Sequence, residues 1–184
     1  MDLETTMKWI ARWEEGPAGP ALTAYTDTMG HPTIGIGFNL DRADAPEKIA
    51  ALGLDYPRVR AGQQSLTLDQ ANQIFAEDVN TAIRAARSIV PAFDSLPDAA
   101  QMVIADMIFN LGPRGFAGFP RAISAFETQN WEMAAAEMTQ SSWYTQTGQR
   151  SRGDVGVIRQ LAVGAATLAP QGPSTGGPGG TGGS

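Results

Sequence analysis

The stretch that decides the fold is residues 23–38, which read TAYTDTMGHPTIGIGF. β-Branched residues flank a turn at residues 29–32 that contains a glycine, and this pattern predicts a β-hairpin with strands over residues 23–28 and 33–38. Two further glycines, Gly35 and Gly37, interrupt the second strand. Glycines inside a strand indicate close approach to its backbone, either by packing or by a ligand.

Helices are predicted on both sides of the hairpin. Apolar residues recur at helical spacing over residues 2–15, and the glycines and prolines of residues 16–20 end this helix. A capping box that starts at Thr67 begins a long helix running to Ile89. A helix at the centre of the domain is predicted over residues 99–111, because these residues are apolar on nearly all sides. Gly112-Pro113 ends this helix. Further helices are predicted near residues 45–52, 121–128, 131–140 and 155–166.

These elements predict an α+β fold with two lobes in one domain over residues 1–169. The small N-terminal lobe, about residues 1–66, holds the hairpin, and the linking helix joins it to a larger helical C-terminal lobe over residues 90–169. A cleft between two such lobes is a common ligand site. Residues 170–184 are almost entirely Gly, Pro, Ser and Thr. They can bury no large apolar side chain, so a disordered tail or linker is expected.

Composition excludes several classes of chemistry. The 184 residues contain no cysteine and a single histidine, so disulfides, thiol nucleophiles and multi-histidine metal sites are ruled out. The net charge of −6 argues against a dedicated nucleic-acid binder. We expect no metal and no organic cofactor. The start of the chain lacks the basic and apolar regions of a signal peptide, and no apolar run is long enough for a membrane span.

Carboxylates remain as the main candidates for chemistry. Glu14 and Glu15 end the first helix, Asp27 lies in the first strand of the hairpin, and Thr33 lies opposite in the second. A protonated and an ionised carboxyl group facing each other across a cleft are what glycoside hydrolysis needs. With 19 acidic residues in the chain, such a pair also arises by chance. Helical phase does not choose between Glu14 and Glu15.

A series of short motifs follows in one order over residues 4–160. They are EG at 15–16, AYTDT at 24–28, TIGIG at 33–37, FAEDV at 75–79, FDSL at 93–96, FNLG at 109–112, GFAGF at 115–119, WE at 131–132 and WYTQT at 143–147. In this order they resemble the bacteriophage-type lysozymes, glycoside hydrolase family 24. The resemblance implies a lysozyme-like fold and an endolysin-type muramidase. Such an enzyme hydrolyses the β-1,4 link between N-acetylmuramic acid and N-acetylglucosamine in peptidoglycan by an inverting mechanism.

The resemblance also implies roles for particular residues. Glu15 matches the general acid, Asp27 the second carboxylate, and Thr33 the hydroxyl that helps to hold the attacking water. Arg150 matches an arginine that pairs with the catalytic glutamate. A guanidinium lowers the pKa of a neighbouring carboxyl group, whereas a general acid has to be protonated. Substrate binding would therefore have to raise the pKa again by desolvating the acid. For Glu14, a structural hydrogen-bonding role is expected.

Three further residues are candidates for substrate binding. Phe109 matches a substrate-contacting aromatic, with core packing as the alternative. Asn110 could hydrogen-bond a sugar amide or cap its own helix, and Phe38 lies where the strand leaves the cleft. Peptidoglycan is the expected partner of a monomeric protein that does not insert stably into membranes. We expect it in the host cytoplasm, acting on the wall after holin-dependent release.

The chain departs from the family pattern in one place that bears on activity. Eleven residues separate Glu15 from Asp27, more than the family usually has, and we expect the region around residues 17–20 to bulge outward as a longer turn. If it does not, the carboxylates are misplaced. A non-catalytic glycan-binding or structural module that keeps the fold is therefore one alternative. The other is a lysozyme module of a larger phage assembly, with the Gly/Pro-rich tail as a tether.

Overall fold

The structure is a computed structural model that describes residues 1–14 and 18–168. Glu15 and the predicted tail over residues 170–184 lie outside the described residues. The helices are α1 Leu3–Glu14, α2 Ala45–Ala51, α3 Tyr56–Arg60, α4 Leu68–Ile89, α5 Asp98–Ala117, α6 Pro120–Glu127, α7 Trp131–Thr139, α8 Ser142–Thr147 and α9 Gln149–Leu168. The strands are β1 Ala21–Thr26, β2 Pro32–Gly35 and β3 Phe38–Asn39. A small sheet followed by many helices confirms the predicted α+β fold.

The sheet is antiparallel and has the order β1-β2-β3. Tyr25 of β1 pairs with Thr33 of β2, which in turn pairs with Asn39 of β3. The prediction of one continuous second strand over residues 33–38 was wrong, because the chain turns back between β2 and β3. Gly35 and Gly37 bracket this turn with φ angles of +66° and +70°, a left-handed conformation that favours glycine.

Helix α4 begins where its capping box predicts. The hydroxyl of Thr67 accepts a hydrogen bond from the backbone N–H of Gln70, and the Gln70 side chain accepts one from the backbone N–H of Thr67. The helix then runs for 22 residues between the sheet and the remaining helices. Reciprocal caps of this kind satisfy backbone donors that the first turn would otherwise leave unpaired.

Two hydrophobic cores meet on α4. Ala71 and Ile74 belong to a small core with residues of the sheet, α2 and α3, whereas Val79 and Ile83 belong to a large core built around α5. Ile10 of α1, which the sequence grouped with the small lobe, packs into the large core. The helix that ends at the candidate acids is therefore anchored on the large lobe, while the hairpin belongs to the small core.

Four helical segments differ from the predicted ones, and one of them is α8, which was not predicted. Gly112 has non-helical φ and ψ angles of 71° and 163°, so the first helical segment of α5 ends there as predicted, and a second segment, which was not predicted, continues to Ala117. α3 was not predicted. α9 begins at Gln149, well before the predicted residue 155, which places Arg150 and Asp154 on one helix. None of the helices in residues 1–14 and 18–168 combines the length and apolar content that crossing a membrane requires.

Candidate active site

A cleft of about 400 Å³ opens between the two cores. Asn39 and Arg42, which follow the turn of the sheet, line one side, and Phe109 of α5 lines the other. Asp78 and Thr81 of α4 form part of the lining as well. A concave site between two lobes, walled by aromatic and charged side chains, is typical of ligand binding.

Asp27 lies directly after β1, at the start of the hairpin turn. Its Oδ1 accepts hydrogen bonds from the backbone N–H groups of His31 at 2.8 Å and Met29 at 2.9 Å. These hydrogen bonds, that of His31 foremost, hold the pKa of Asp27 below its usual value. The carboxylate is therefore ionised at neutral pH.

The structure brings Thr33 next to Asp27. The Thr33 hydroxyl donates towards Asp27 Oδ2 across 3.4 Å, and its side chain is buried, with only 3% of the residue exposed. With Oδ1 already held by the turn, Oδ2 and the threonine hydroxyl form a pair of polar atoms side by side. Such a pair is suited to holding a water molecule between a carboxylate and a hydroxyl.

Glu14, the last residue of α1, reaches the same sheet. A Cβ atom added at Gly37 would lie 2.5 Å from Glu14 Oε2, so the carboxylate rests directly on the glycine backbone. This contact confirms the close approach that the glycines predicted. Burial and the carboxylates of Asp27 and Glu14 raise the pKa of Tyr25, so its phenol lies near both acids. Glu14 and Asp27 therefore flank the same end of the hairpin.

Arg150 of α9 holds Glu14 from the other side. Its Nη1 donates to Glu14 Oε1 at 2.5 Å, and its Nε and Nη2 donate to Asp106 of α5. Its guanidinium lies 5.9 Å from the centre of the Phe109 ring. Only 7% of the Arg150 side chain is exposed, so Arg150 is not a solvated surface arginine. The family resemblance pairs Arg150 with the catalytic glutamate, which the sequence predicts to be Glu15. Among the described residues, the glutamate that Arg150 contacts is Glu14.

The predicted substrate-binding residues differ in their surroundings. Phe109 is half-buried, lines the cleft and packs edge-on against Phe75 with ring centres 5.7 Å apart. Asn110 is exposed, and its carbonyl oxygen accepts a hydrogen bond from the Trp143 indole N–H at 2.9 Å. Phe38 is 3% exposed within the small core, so its contact with a substrate stays a prediction.

The sequence reading missed two carboxylates near this site. Asp106 and Asp154 are both fully buried beside Arg150. The signal for Asp106 was present, because it is the one charged residue in the apolar stretch 99–111. A charged side chain at the centre of a domain needs a partner, and Arg150 is that partner.

Gly37 gives a direct test of how Glu14 is placed. Gly37→Ala should lower the free energy of unfolding by more than the strain of a left-handed alanine alone, about 1–3 kcal/mol, because its methyl group would also overlap Glu14. Gly30→Ala is the matched control: its φ is +88° and no atom lies within 4 Å of the added Cβ. Urea unfolding of both variants measures the difference, and equal losses would show that Glu14 does not press on Gly37.

The fold and the cleft define a class before any relative is considered: a two-lobed α+β domain in which the Glu14 carboxylate rests on Gly37, a residue that lines the interlobe cleft. The family model described as phage lysozyme matches residues 15–159 of this chain. The chain belongs to the phage lysozyme family. It is thereby a glycoside hydrolase of the lysozyme class.

The relatives differ in how much of their own length this chain covers. Probable T4-type lysozyme 2 of Dictyostelium discoideum is 26% identical over 162 residues, which cover 84% of this chain and 94% of that protein. The pre-baseplate central spike protein Gp5 of Enterobacteria phage T4 is 31% identical over 142 residues, or 73% of this chain but 25% of the spike protein. Peptidoglycan hydrolase gp36 of Enterobacteria phage SP6 is 25% identical over 151 residues, 79% of this chain and 15% of that protein.

Proposed function

We propose that this protein is an endolysin-type muramidase that hydrolyses the β-1,4 link between N-acetylmuramic acid and N-acetylglucosamine in bacterial peptidoglycan with inversion. The observation that carries the proposal is the ionised Asp27 with the Thr33 hydroxyl beside it, on the hairpin that Glu14 contacts from α1. The names of two relatives, a T4-type lysozyme and a peptidoglycan hydrolase, support the substrate class.

In this mechanism Glu15 donates a proton to the glycosidic oxygen as the bond to the anomeric carbon breaks. Asp27 and Thr33 hold a water molecule, and Asp27 accepts its proton as the oxygen attacks the anomeric carbon from the opposite face. The oxygen of the leaving sugar takes the proton of Glu15. The new hydroxyl group of the other sugar comes from water.

Glu14 is the second candidate for the acid, and one observation favours it. It is the carboxylate that accepts from Arg150 and that rests on Gly37. The resemblance selects Glu15 by its Glu-Gly motif, yet the same resemblance pairs the catalytic glutamate with Arg150. Glu15 thus has the Glu-Gly motif of the family, whereas Glu14 has the contact with Arg150. Substituting each glutamate in turn separates their roles.

Substrate binding is assigned to the cleft. Phe109 offers an aromatic face at the cleft wall, and the exposed Asn110 offers an amide to the N-acetyl groups of the glycan. Phe38 is proposed as a third binding residue, with its ring beneath Arg42 at 4.8 Å. We propose that the protein acts as a monomer on the wall after holin-dependent release from the host cytoplasm. The proposal includes no nucleic-acid partner and no stable membrane insertion.

The similarity to the Gp5 spike protein favours an alternative function, a lysozyme module within a larger phage assembly. Such a module could be catalytic or could only bind glycan. Fractionating virions from infected-cell cytosol would separate an assembly component from a free endolysin. Clearing of purified peptidoglycan would separate a catalytic module from a binding one.

The stereochemistry of the product tests the mechanism itself. Inversion of a β-linked sugar should release the new reducing end first as the α-anomer, because water attacks from the face opposite the leaving group. Proton NMR of a chitooligosaccharide or wall digest, recorded within minutes, distinguishes this anomer before mutarotation. A β-anomer formed first would show retention, and it would require a covalent or neighbouring-group intermediate in place of the water held by Asp27 and Thr33.

A further inference from the structure

Beneath the site, one buried guanidinium meets more than one carboxylate. Arg150 donates from Nε to both oxygens of Asp106 at 3.2 Å and from Nη2 to Oδ1 at 2.6 Å, which leaves Nη1 for Glu14. The Asp106 side chain is 0% exposed, whereas that of Glu14 is 20% exposed. Burial opposes the charge of Arg150, but Asp106 and Glu14 outweigh it and raise the pKa of the guanidinium.

Asp154 lies one turn further along α9 and is fully buried. Its Oδ1 accepts a hydrogen bond from the Trp9 indole N–H at 2.9 Å, and no group of the described residues donates to its Oδ2. Burial, followed by the charge of Asp106, raises the pKa of Asp154 well above the usual value. Burial therefore favours the protonated form of Asp154, whose Oδ2 has no donor among the described residues.

The charges of the cluster then balance in a particular way. With Asp154 neutral, one positive guanidinium is shared by Asp106 and Glu14. A guanidinium facing one glutamate alone would strongly favour the ionised form of that glutamate, which a general acid must avoid. The second carboxylate offsets this pull. Among the described residues, Tyr25 of β1 lies near both Glu14 and Asp27, and neither Tyr25 nor Asp27 adds positive charge.

We propose that Asp106 is a positioning residue for the proton-transfer step: it fixes the guanidinium of Arg150 through two of its three nitrogens and offsets its charge, with the buried carboxyl group of Asp154 beside it. The positive charge that Arg150 presents to Glu14 is then shared with Asp106. This inference rests on the proposed function, because it concerns the acid of that reaction. It holds directly for Glu14, which Arg150 contacts, and for Glu15 through the pairing with Arg150 that the family resemblance implies.

The pH profile of wall lysis tests the role of Asp106. The comparison is between Asp154→Asn, which has no charge at position 154, and Asp106→Asn in that same background, which removes the remaining buried carboxylate. We expect Asp154→Asn to keep the high-pH limb of the wild-type kcat/KM profile. We expect the double variant to move this limb downward by about one pH unit, the lower end of the effect of a nearby charge. Asp94→Asn, which neutralises an exposed partner of Arg87, is the control and should not move the limb.

A double variant whose limb coincides with that of Asp154→Asn would overturn the proposal. Should the double variant fail to fold, the wild-type protein gives the answer by carbon-13 NMR of labelled aspartates. A carboxyl carbon of Asp154 that stays protonated through pH 7 supports the cluster, and one that titrates near the ordinary value of 3.8 overturns it. A wild-type protein that lyses no wall at any pH defeats the proposed function instead, while the NMR titration still decides the charge state of the cluster.

Discussion

Glu15→Gln is expected to slow the lysis of purified peptidoglycan by about 10²–10⁴-fold and to leave the fold intact. The amide matches the carboxyl group in size but has no acidic proton to give to the glycosidic oxygen. The leaving sugar would then depart as an alkoxide, which is far less stable in water-poor surroundings. Turbidity of a wall suspension measures the rate, and a melting curve checks that the variant is folded.

Glu14→Gln is the matched control, since it makes the same change one residue away. It should keep substantial activity if Glu15 is the acid, although it weakens the hydrogen bond with Arg150 and should lower the melting temperature. If Glu14→Gln is the inactive variant and Glu15→Gln clears walls normally, the acid is Glu14. Wild-type clearing by both variants would remove these glutamates from the mechanism.

Short-range signals explain the parts of the fold that the sequence predicts well. The capping box at Thr67 acts within one helical turn, and the hairpin depends on residues that are neighbours in the chain. The second strand was harder to predict, because at Gly37, where it breaks, the backbone is in contact with Glu14 of another element. A pattern of alternating residues cannot report that a distant carboxylate occupies the space above a glycine.

The candidate site shows the same division between local and distant contacts. Asp27 and Thr33 are six residues apart on one hairpin, so their proximity could be predicted from its register. Arg150 and Asp106 are separated by 44 residues, and their contact depends on how α5 and α9 pack. The family resemblance supplied Arg150 but not Asp106. An isolated charge in an apolar helix was a signal that a partner must exist, without naming the partner.

Thr33→Glu is expected to abolish ordinary hydrolysis and to trap the substrate on the protein. Thr33 is buried beside Asp27, where the proposed mechanism places the attacking water. A glutamate here would fill that space and bring its own carboxylate to the anomeric carbon. The carboxylate oxygen forms a bond to that carbon, the glycosidic bond breaks, and the leaving oxygen takes the proton of the general acid. With no room for water, the sugar ester should accumulate.

Intact-protein mass spectrometry after incubation with cell walls reads this outcome directly, as a mass increase equal to a wall fragment. Thr33→Gln is the matched variant, because its side chain fills the same space but its amide is a poor nucleophile. It should lose lysis and carry no adduct. A Thr33→Glu protein that stays unmodified and lyses walls at the wild-type rate would show that residue 33 is away from the reacting carbon. The same hairpin register sets Asp27, so that result would also remove Asp27 from its proposed role.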